Sequence, residues 1–374
     1  MGEIDKNLKS QPWIHSWYGD TLGFFTIPIL FVALAYFHLP PFNGLSRSDL
    51  SSVVYAVLVL DWGHIFAQWY RIFLNPAESR KAKFLYTLSY FLLILTLALL
   101  LTFFLIHSYV ESFLVYFVIY HFIRQHFGFV RIYSKTDGEK SKIESFVEGL
   151  FIYLSMWTPV IYWHIEFPFD TYYWVVHFIK FLYAKELFQI ALLFYFLSSI
   201  LFVYFELKRF LKTKVVNTPK LLAIFSAGLA WGSVSFFKDV PILIFFTVVL
   251  THDVSYMLLV WFIGRRDKIL TENKIKWNSL WSVPGSIVYF LGILIISRLV
   301  IGVHAEIVFD LNRSYFLIGT LLNDLKNDST FLIKLGWSIF FVTQGHHYFI
   351  DRYLWKKEKD LSYILNNKKV DYEH

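Results

Sequence analysis

The sequence predicts an all-α, polytopic membrane protein, and three observations support that fold class. Of the 374 residues, 56% are hydrophobic and only 17% are charged, whereas a typical soluble domain carries roughly 25% charge. Apolar residues occur in blocks of about twenty, the length that a helix needs to cross roughly 30 Å of hydrocarbon. The loops between the blocks alternate between many and few basic residues. These features exclude an ordinary soluble enzyme and a disordered chain.

The apolar blocks predict about ten transmembrane helices in one domain, 1–374. Their approximate limits are 22–40, 51–71, 84–106, 111–130, 146–165, 186–206, 220–237, 241–263, 283–302 and 333–353. Residues 1–20 form an N-terminal tail without the apolar core of a cleavable signal peptide, and 354–374 form a C-terminal tail. Segment 171–184 is short and aromatic, so it is expected to lie along the membrane interface. Segment 305–332 is expected to be a long outer loop.

Basic residues predict the orientation, because short cytoplasmic loops hold the excess of Lys and Arg. The N-terminal tail, the loops at 71–83, 131–142, 208–220 and 265–276, and the residues from 352 onward hold 26 of the 35 basic residues. This alternation indicates an even number of crossings, with both termini on the cytoplasmic side of an inner or plasma membrane. Membrane topology also explains the net charge of +7. The basic residues do not form a continuous stripe, so nucleic acid is not predicted as a partner.

The absence of cysteine limits the kinds of metal site that the chain can form. It excludes disulfides, thiolate zinc sites, cysteine-bound iron–sulfur clusters and c-type haem attachment. Any metal ligands must therefore be imidazole, carboxylate or other oxygen donors.

Six of the thirteen histidines lie on even-numbered predicted spans, mostly in the cytoplasmic half. They are His64, His121, His126, His252, His346 and His347. At about 1.5 Å per residue, counting to the next cytoplasmic arginine places His64, His126 and His347 at one level, roughly 8–10 Å deep. His121 and His252 are expected one or two turns deeper, and His252 could belong to a second layer.

Three aspartates occupy the same predicted helices: Asp61, Asp253 and Asp351. Asp61 precedes His64 by three residues and Asp351 follows His347 by four, so each pair can share a helix face. A single pair of this kind is more commonly a hydrogen bond between packed helices. Six histidines and three aspartates together predict a metal site, because ionisable groups within a membrane are costly and usually functional. Each aspartate can be a metal ligand or can orient a ligating imidazole.

The spacing of His121 and His126 and the adjacent His346 and His347 resemble histidine boxes of the integral-membrane di-iron desaturases and hydroxylases. The chain lacks that family's H-x-x-H-H box, and Gln344 stands one residue closer to the histidine pair than the family pattern requires. Histidines and aspartates scattered over the spans also resemble the bacterial membrane-embedded carotene-cleaving dioxygenases. The first resemblance implies iron held by several imidazoles near the cytoplasmic face.

Histidine and carboxylate without cysteine favour non-haem iron, as one or two ions, and two histidines with a carboxylate leave positions open for dioxygen. The sequence therefore predicts a metal-dependent membrane oxygenase, desaturase or hydroxylase. Its site would lie in the cytoplasmic half, its substrate would be apolar or a small organic molecule, and a cytoplasmic donor could supply electrons. Tyr256 and Tyr348 are candidate donors to an oxygen species, and Asp351 is a candidate ligand or acid–base group.

Three other functions remain open on the sequence. A proton- or metal-coupled transporter would use the same intramembrane histidines and aspartates. A b-type haem protein would need paired histidines on facing helices. A metal-dependent hydrolase or transferase acting on lipid head groups would activate a water on the same ligands.

Overall fold

The computed structural model describes most of the chain, and the described part is helical without strands. The described residues are 13–38, 47–74, 80–103, 107–166, 185–237, 245–272, 280, 283–308 and 331–354. This confirms the all-α class. The predicted interfacial segment 171–184, most of the predicted outer loop, nearly all of the C-terminal tail and residues 1–12 of the N-terminal tail lie outside the described residues.

The described part of the chain contains ten long helices, and each overlaps one predicted apolar block in order. They are α1 (Trp17–Tyr36), α2 (Arg47–Leu74), α3 (Arg80–Phe103), α4 (His107–Ser134), α5 (Lys142–Glu166), α6 (Lys185–Thr213), α7 (Thr218–Phe236), α8 (Leu250–Glu272), α9 (Val283–Val308) and α10 (Phe331–Leu354). Two π-helical turns accompany them, Thr21–Phe25 within α1 and Phe245–Val249 directly before α8.

Four of the described helices contain stretches that are long and apolar enough to cross a membrane. These stretches are Trp17–Tyr36, Lys83–Leu100, Lys185–Thr213 and Phe246–Arg265. Helices α2, α4 and α10 carry most of the candidate His and Asp residues, which lower their hydropathy. The ten-span topology and the cytoplasmic termini stay predictions.

Helix α8 lies at the centre of the bundle. Of its apolar stretch, 78% is buried, against 11% for the stretch in α3 and 17% for that in α6. Helix α8 packs against α2 and contacts α4, while α10 packs against α3 and contacts α2, α4 and α9. The packing thus brings together α2, α4, α8 and α10, the four helices that carry the six candidate histidines.

Close packing of α9 on α2 depends on a glycine next to a candidate ligand. Gly63 precedes His64, and a Cβ atom at Gly63 would lie 3.0 Å from Cγ2 of Ile293 and 3.5 Å from Sδ of Met257. A side chain at this position would require Ile293 to shift by a few tenths of an ångström. Gly63 therefore helps to set the position of His64 in the core.

A buried ionic network joins α4, α5, α6 and α7 at one end of the bundle. The fully buried Lys220 places Nζ 2.6 Å from Oδ2 of Asp137 and 2.6 Å from Oε1 of Glu206. Burial raises the pKa of Asp137, but the Lys220 ammonium and hydrogen bonds from Lys220 and Asn217 lower it more, so the pKa lies below its ordinary value. The network joins residues of two loops that the charge pattern predicts to be cytoplasmic.

Candidate metal centre

Four imidazoles from four helices meet in the centre of the bundle. They are His64 of α2, His121 of α4, His252 of α8 and His347 of α10. Each residue offers one ring nitrogen, and these four nitrogens all lie within 4.8 Å of one another. None of the four residues exposes more than 7% of its surface. These four side chains together are called the imidazole ring below, whereas the ring of a single histidine is always named by its residue.

Neighbouring members of the imidazole ring pack edge to face. The ring of His64 lies 4.6 Å from that of His347 and 4.8 Å from that of His252, measured between centroids. The ring centroid of His121 lies 4.9 Å from that of His252 and 5.1 Å from that of His347. The interplanar angles of these four pairs lie between 72° and 81°.

Seven nitrogens of the imidazole ring have no hydrogen-bond partner among the described residues. They are both nitrogens of His64, His252 and His347 and the Nε2 of His121. A buried polar atom without a partner costs about 1–3 kcal/mol, and neutral imidazoles would also bury unpaired N–H donors. A cation bound by one nitrogen of each residue would supply four of the missing interactions. The donor set therefore fits a metal ion.

Two aspartates lie against one member of the imidazole ring. Oδ1 of the fully buried Asp253 lies 3.1 Å from Nδ1 of His64, but the two atoms lack hydrogen-bond geometry. Oδ1 of Asp61 lies 3.6 Å from the same nitrogen. One carboxylate oxygen from each aspartate and one nitrogen of His64 all lie within 4.8 Å of one another. The two aspartates, Asp61 and Asp253, are called the carboxylate pair below, and they lie next to His64 of the imidazole ring.

Asp351 lies beside two other members of the imidazole ring. Its Oδ2 is 3.9 Å from Nε2 of His121 and 3.9 Å from Nε2 of His347. Its Oδ1 accepts hydrogen bonds from Nε2 of Gln68, at 2.9 Å, and from the hydroxyl of Tyr256. The structure thus brings together Asp351 and Tyr256, two of the predicted catalytic residues.

Tyr348 connects the imidazole ring to the carboxylate pair. Its aromatic ring stacks on His121 at 4.0 Å, and its hydroxyl donates to Oε1 of Gln344 at 2.9 Å. Nε2 of Gln344 then donates to Oδ2 of Asp61 at 2.8 Å. The side-chain carbonyl of Gln344 accepts the hydrogen bond from Tyr348, so the amide nitrogen of the same side chain faces Asp61. The sequence pattern did not predict this role for Gln344, although the i,i+4 spacing of Gln344 and Tyr348 is a signal for the contact.

Two of the six predicted histidines lie outside both sets. Nε2 of His346 makes a 2.9 Å hydrogen bond with Oγ of Ser89 on α3. His126 is buried, and its Nε2 has no hydrogen-bond partner among the described residues. A separation of five residues turns the helix by about 140°, so His121 and His126 cannot share a face.

The depth of the histidines also differs from the expected layers. His252 lies in the same set as His64 and His347, whereas the count along the helix assigned it to a deeper level. That count treated each arginine as a marker of the membrane surface. Arg71, the reference for His64, is buried, at 6% exposed, so the count to Arg71 does not measure the distance of His64 from the surface.

No known family, curated protein or solved structure matches this chain. The class is therefore defined by the fold and the site alone. Its described residues are all-helical, with four helices long and apolar enough to cross a membrane and with buried histidine and aspartate groups that could hold a metal.

Proposed function

We propose that the protein is a membrane-embedded, metal-dependent oxidoreductase that binds non-haem iron in the imidazole ring. In this proposal it uses dioxygen to oxidise an apolar or small organic substrate, with electrons from a cytoplasmic donor. The observation that carries the proposal is the convergence of His64, His121, His252 and His347, whose buried nitrogens lack partners among the described residues.

The membrane setting is supported by the surface of the bundle as well as by its composition. Helices α3 and α6 expose large apolar side chains along their length, including Phe91, Leu92, Phe194 and Phe196. The ionic network joins two predicted cytoplasmic loops at one end, as the ten-span topology requires. In that topology the four helices of the imidazole ring run in the same direction, and we place their histidines in the cytoplasmic half.

The ligand chemistry favours iron. Neutral imidazole suits iron, copper, zinc and nickel, whereas carboxylates favour harder ions, and this site contains both types of donor. Iron held there would supply the binding and reduction of dioxygen. In this proposal the four imidazoles bind the iron directly, with Asp351 beside them, so the site does not require a haem.

The surrounding residues orient the site and exclude water from it. Tyr348 stacks on His121, and Phe122 packs on His252 with centroids 4.0 Å apart. Gln68 and Tyr256 hold the carboxylate of Asp351, so that its second oxygen faces the imidazole ring. A site enclosed by aromatic side chains favours an apolar substrate, because a polar one would lose its hydration on entry.

The proposal is tested on the full chain purified in detergent. We expect iron by elemental analysis, no Soret band in the visible spectrum, and consumption of dioxygen when a reductant and an apolar substrate are supplied. A folded protein that stays metal-free after incubation with iron(II) would contradict the proposal and would leave proton-coupled transport as the function to test.

A further inference from the structure

We propose that Asp61, Asp253 and His64 form a second cation subsite, which takes a divalent first-row ion such as iron(II) or manganese(II). This inference rests on the proposed function, because the subsite shares His64 with the imidazole ring. Its two carboxylates lie outside that ring, so the two assignments can be tested separately.

Asp253 is the first reason for a second ion. The residue is fully buried, and neither of its carboxylate oxygens has a hydrogen-bond partner among the described residues. By contrast, the equally buried Asp20 accepts hydrogen bonds from the backbone of Ile14 and His15 and from the hydroxyl of Tyr133. An ionised carboxylate without donors is costly to bury unless a cation is bound to it.

The spacing of the three ligand atoms is the second reason. The two carboxylates and Nδ1 of His64 lie close together, and a single imidazole cannot balance two ionised carboxylates. Adjacent ligands on an octahedral cation at about 2.1–2.2 Å are about 3.0 Å apart. The separation of 3.1 Å between Asp253 and His64, without hydrogen-bond geometry, fits two ligands of one ion.

His64 provides one nitrogen for each set. Its Nδ1 faces the carboxylate pair, and in this proposal its Nε2 binds the ion of the imidazole ring. An imidazole that binds a cation through each nitrogen must release its N–H proton, and metal binding commonly releases protons in this way. The two subsites differ in donor type, and two carboxylates with one imidazole suit a harder ion than four imidazoles do.

The surroundings of Asp61 are consistent with a ligand held in place. Gln344 donates to its Oδ2, while Oδ1 is the oxygen nearer to His64. A hydrogen bond to one oxygen leaves the other for a cation, which is the usual arrangement around ligating carboxylates.

The experiment counts bound ions on the full chain in detergent, reconstituted anaerobically with iron(II) and then separated from free metal. We expect about two ions per chain in the wild type and about one in Asp253→Asn. Asp20→Asn is the matched control, since it also neutralises a fully buried carboxylate, and it should keep about two ions. Asp61→Asn provides a second test, because its side chain is 13% exposed and tolerates substitution more readily.

Each result decides between the two proposals. One ion per chain in the wild type would overturn the second subsite and leave the iron site in the imidazole ring. Two ions in Asp253→Asn and in Asp61→Asn would also overturn it, since these carboxylates would then only orient His64. No ion in the wild type would overturn the proposed function together with this inference. If neither variant folds, the wild-type count still tests the inference, because one ion per chain overturns it.

Discussion

His346 and His347 are adjacent on α10 but face different helices. The ring of His347 lies 4.6 Å from that of His64 on α2, whereas His346 makes a hydrogen bond with Ser89 on α3. Successive residues of a helix point about 100° apart, so only one of the two can face the bundle centre. Two histidines that look equivalent in the sequence therefore have different surroundings.

His347→Gln should lose the ion of the imidazole ring, and His346→Gln should keep it. The first change removes one of four imidazole ligands, which we expect to weaken iron binding by more than about 100-fold, since even partners that only orient ligands contribute 10–100-fold. The second change leaves the imidazole ring complete. Elemental analysis of both variants in detergent checks this pair, and equal iron loss in the two would show that the ring is not the site.

Asp351→Asn should keep its iron but consume dioxygen about 100-fold more slowly, because loss of a positioned proton-transfer group typically costs 10²–10⁴-fold. Tyr256→Phe should also keep iron and lose activity, since it removes the hydroxyl that donates to Asp351. Tyr289→Phe is the matched control, as the hydroxyl of this buried tyrosine donates to the backbone of Met257. If Asp351→Asn lost iron as fully as His347→Gln, Asp351 would be a metal ligand.

Gly63→Ala should destabilise the protein, whereas Gly128→Ala should not. The new Cβ at Gly63 would meet Ile293 at 3.0 Å, and overpacking of this kind costs about 1–3 kcal/mol. A Cβ at Gly128 would have no neighbour within 4 Å, and alanine is favoured over glycine in a helix by about 0.5–1 kcal/mol. Thermal unfolding in detergent compares the two variants. A similar melting temperature for both would show that α9 can move away from α2 without cost.

Lys220→Met should destabilise the bundle without changing its metal content. Lys220 is fully buried between Asp137 and Glu206, and removing one partner of a buried ionic group costs about 3–5 kcal/mol. Lys142→Met is the control, because this exposed lysine should contribute little. Melting temperatures, together with iron per folded chain, measure the effect. Loss of iron in a folded Lys220→Met protein would mean that the ionic network acts on the metal site.

The same network should make stability depend on pH in the acidic range. The pKa of Asp137 is lower in the folded protein than its ordinary value, so its ionised form stabilises the fold. That contribution is complete above the unfolded-state pKa of about 3.9 and is lost as the pH falls through the folded-state pKa. Lys220→Met should therefore lose less stability than the wild type below about pH 4. Parallel acid-unfolding curves would contradict this assignment.

The amino-acid sequence determined the helical class, the order of the helices and the four helices that carry the site. Apolar blocks of about twenty residues predict helices wherever they occur, and each block overlaps one helix of the structure. The absence of cysteine limited the ligands to imidazole and oxygen donors. These properties follow from local composition, which does not depend on how the helices pack.

Only the tertiary structure decided which side chains meet. A helix that is apolar on all sides has no polar stripe to show which face lies inside, so the sequence could not choose between His121 and His126 or between His346 and His347. The packing of α2, α4, α8 and α10 set the rotation of each helix and brought Asp253 against His64. Which histidines face one another is thus a property of helix rotation, and the spacing of residues along one helix does not contain it.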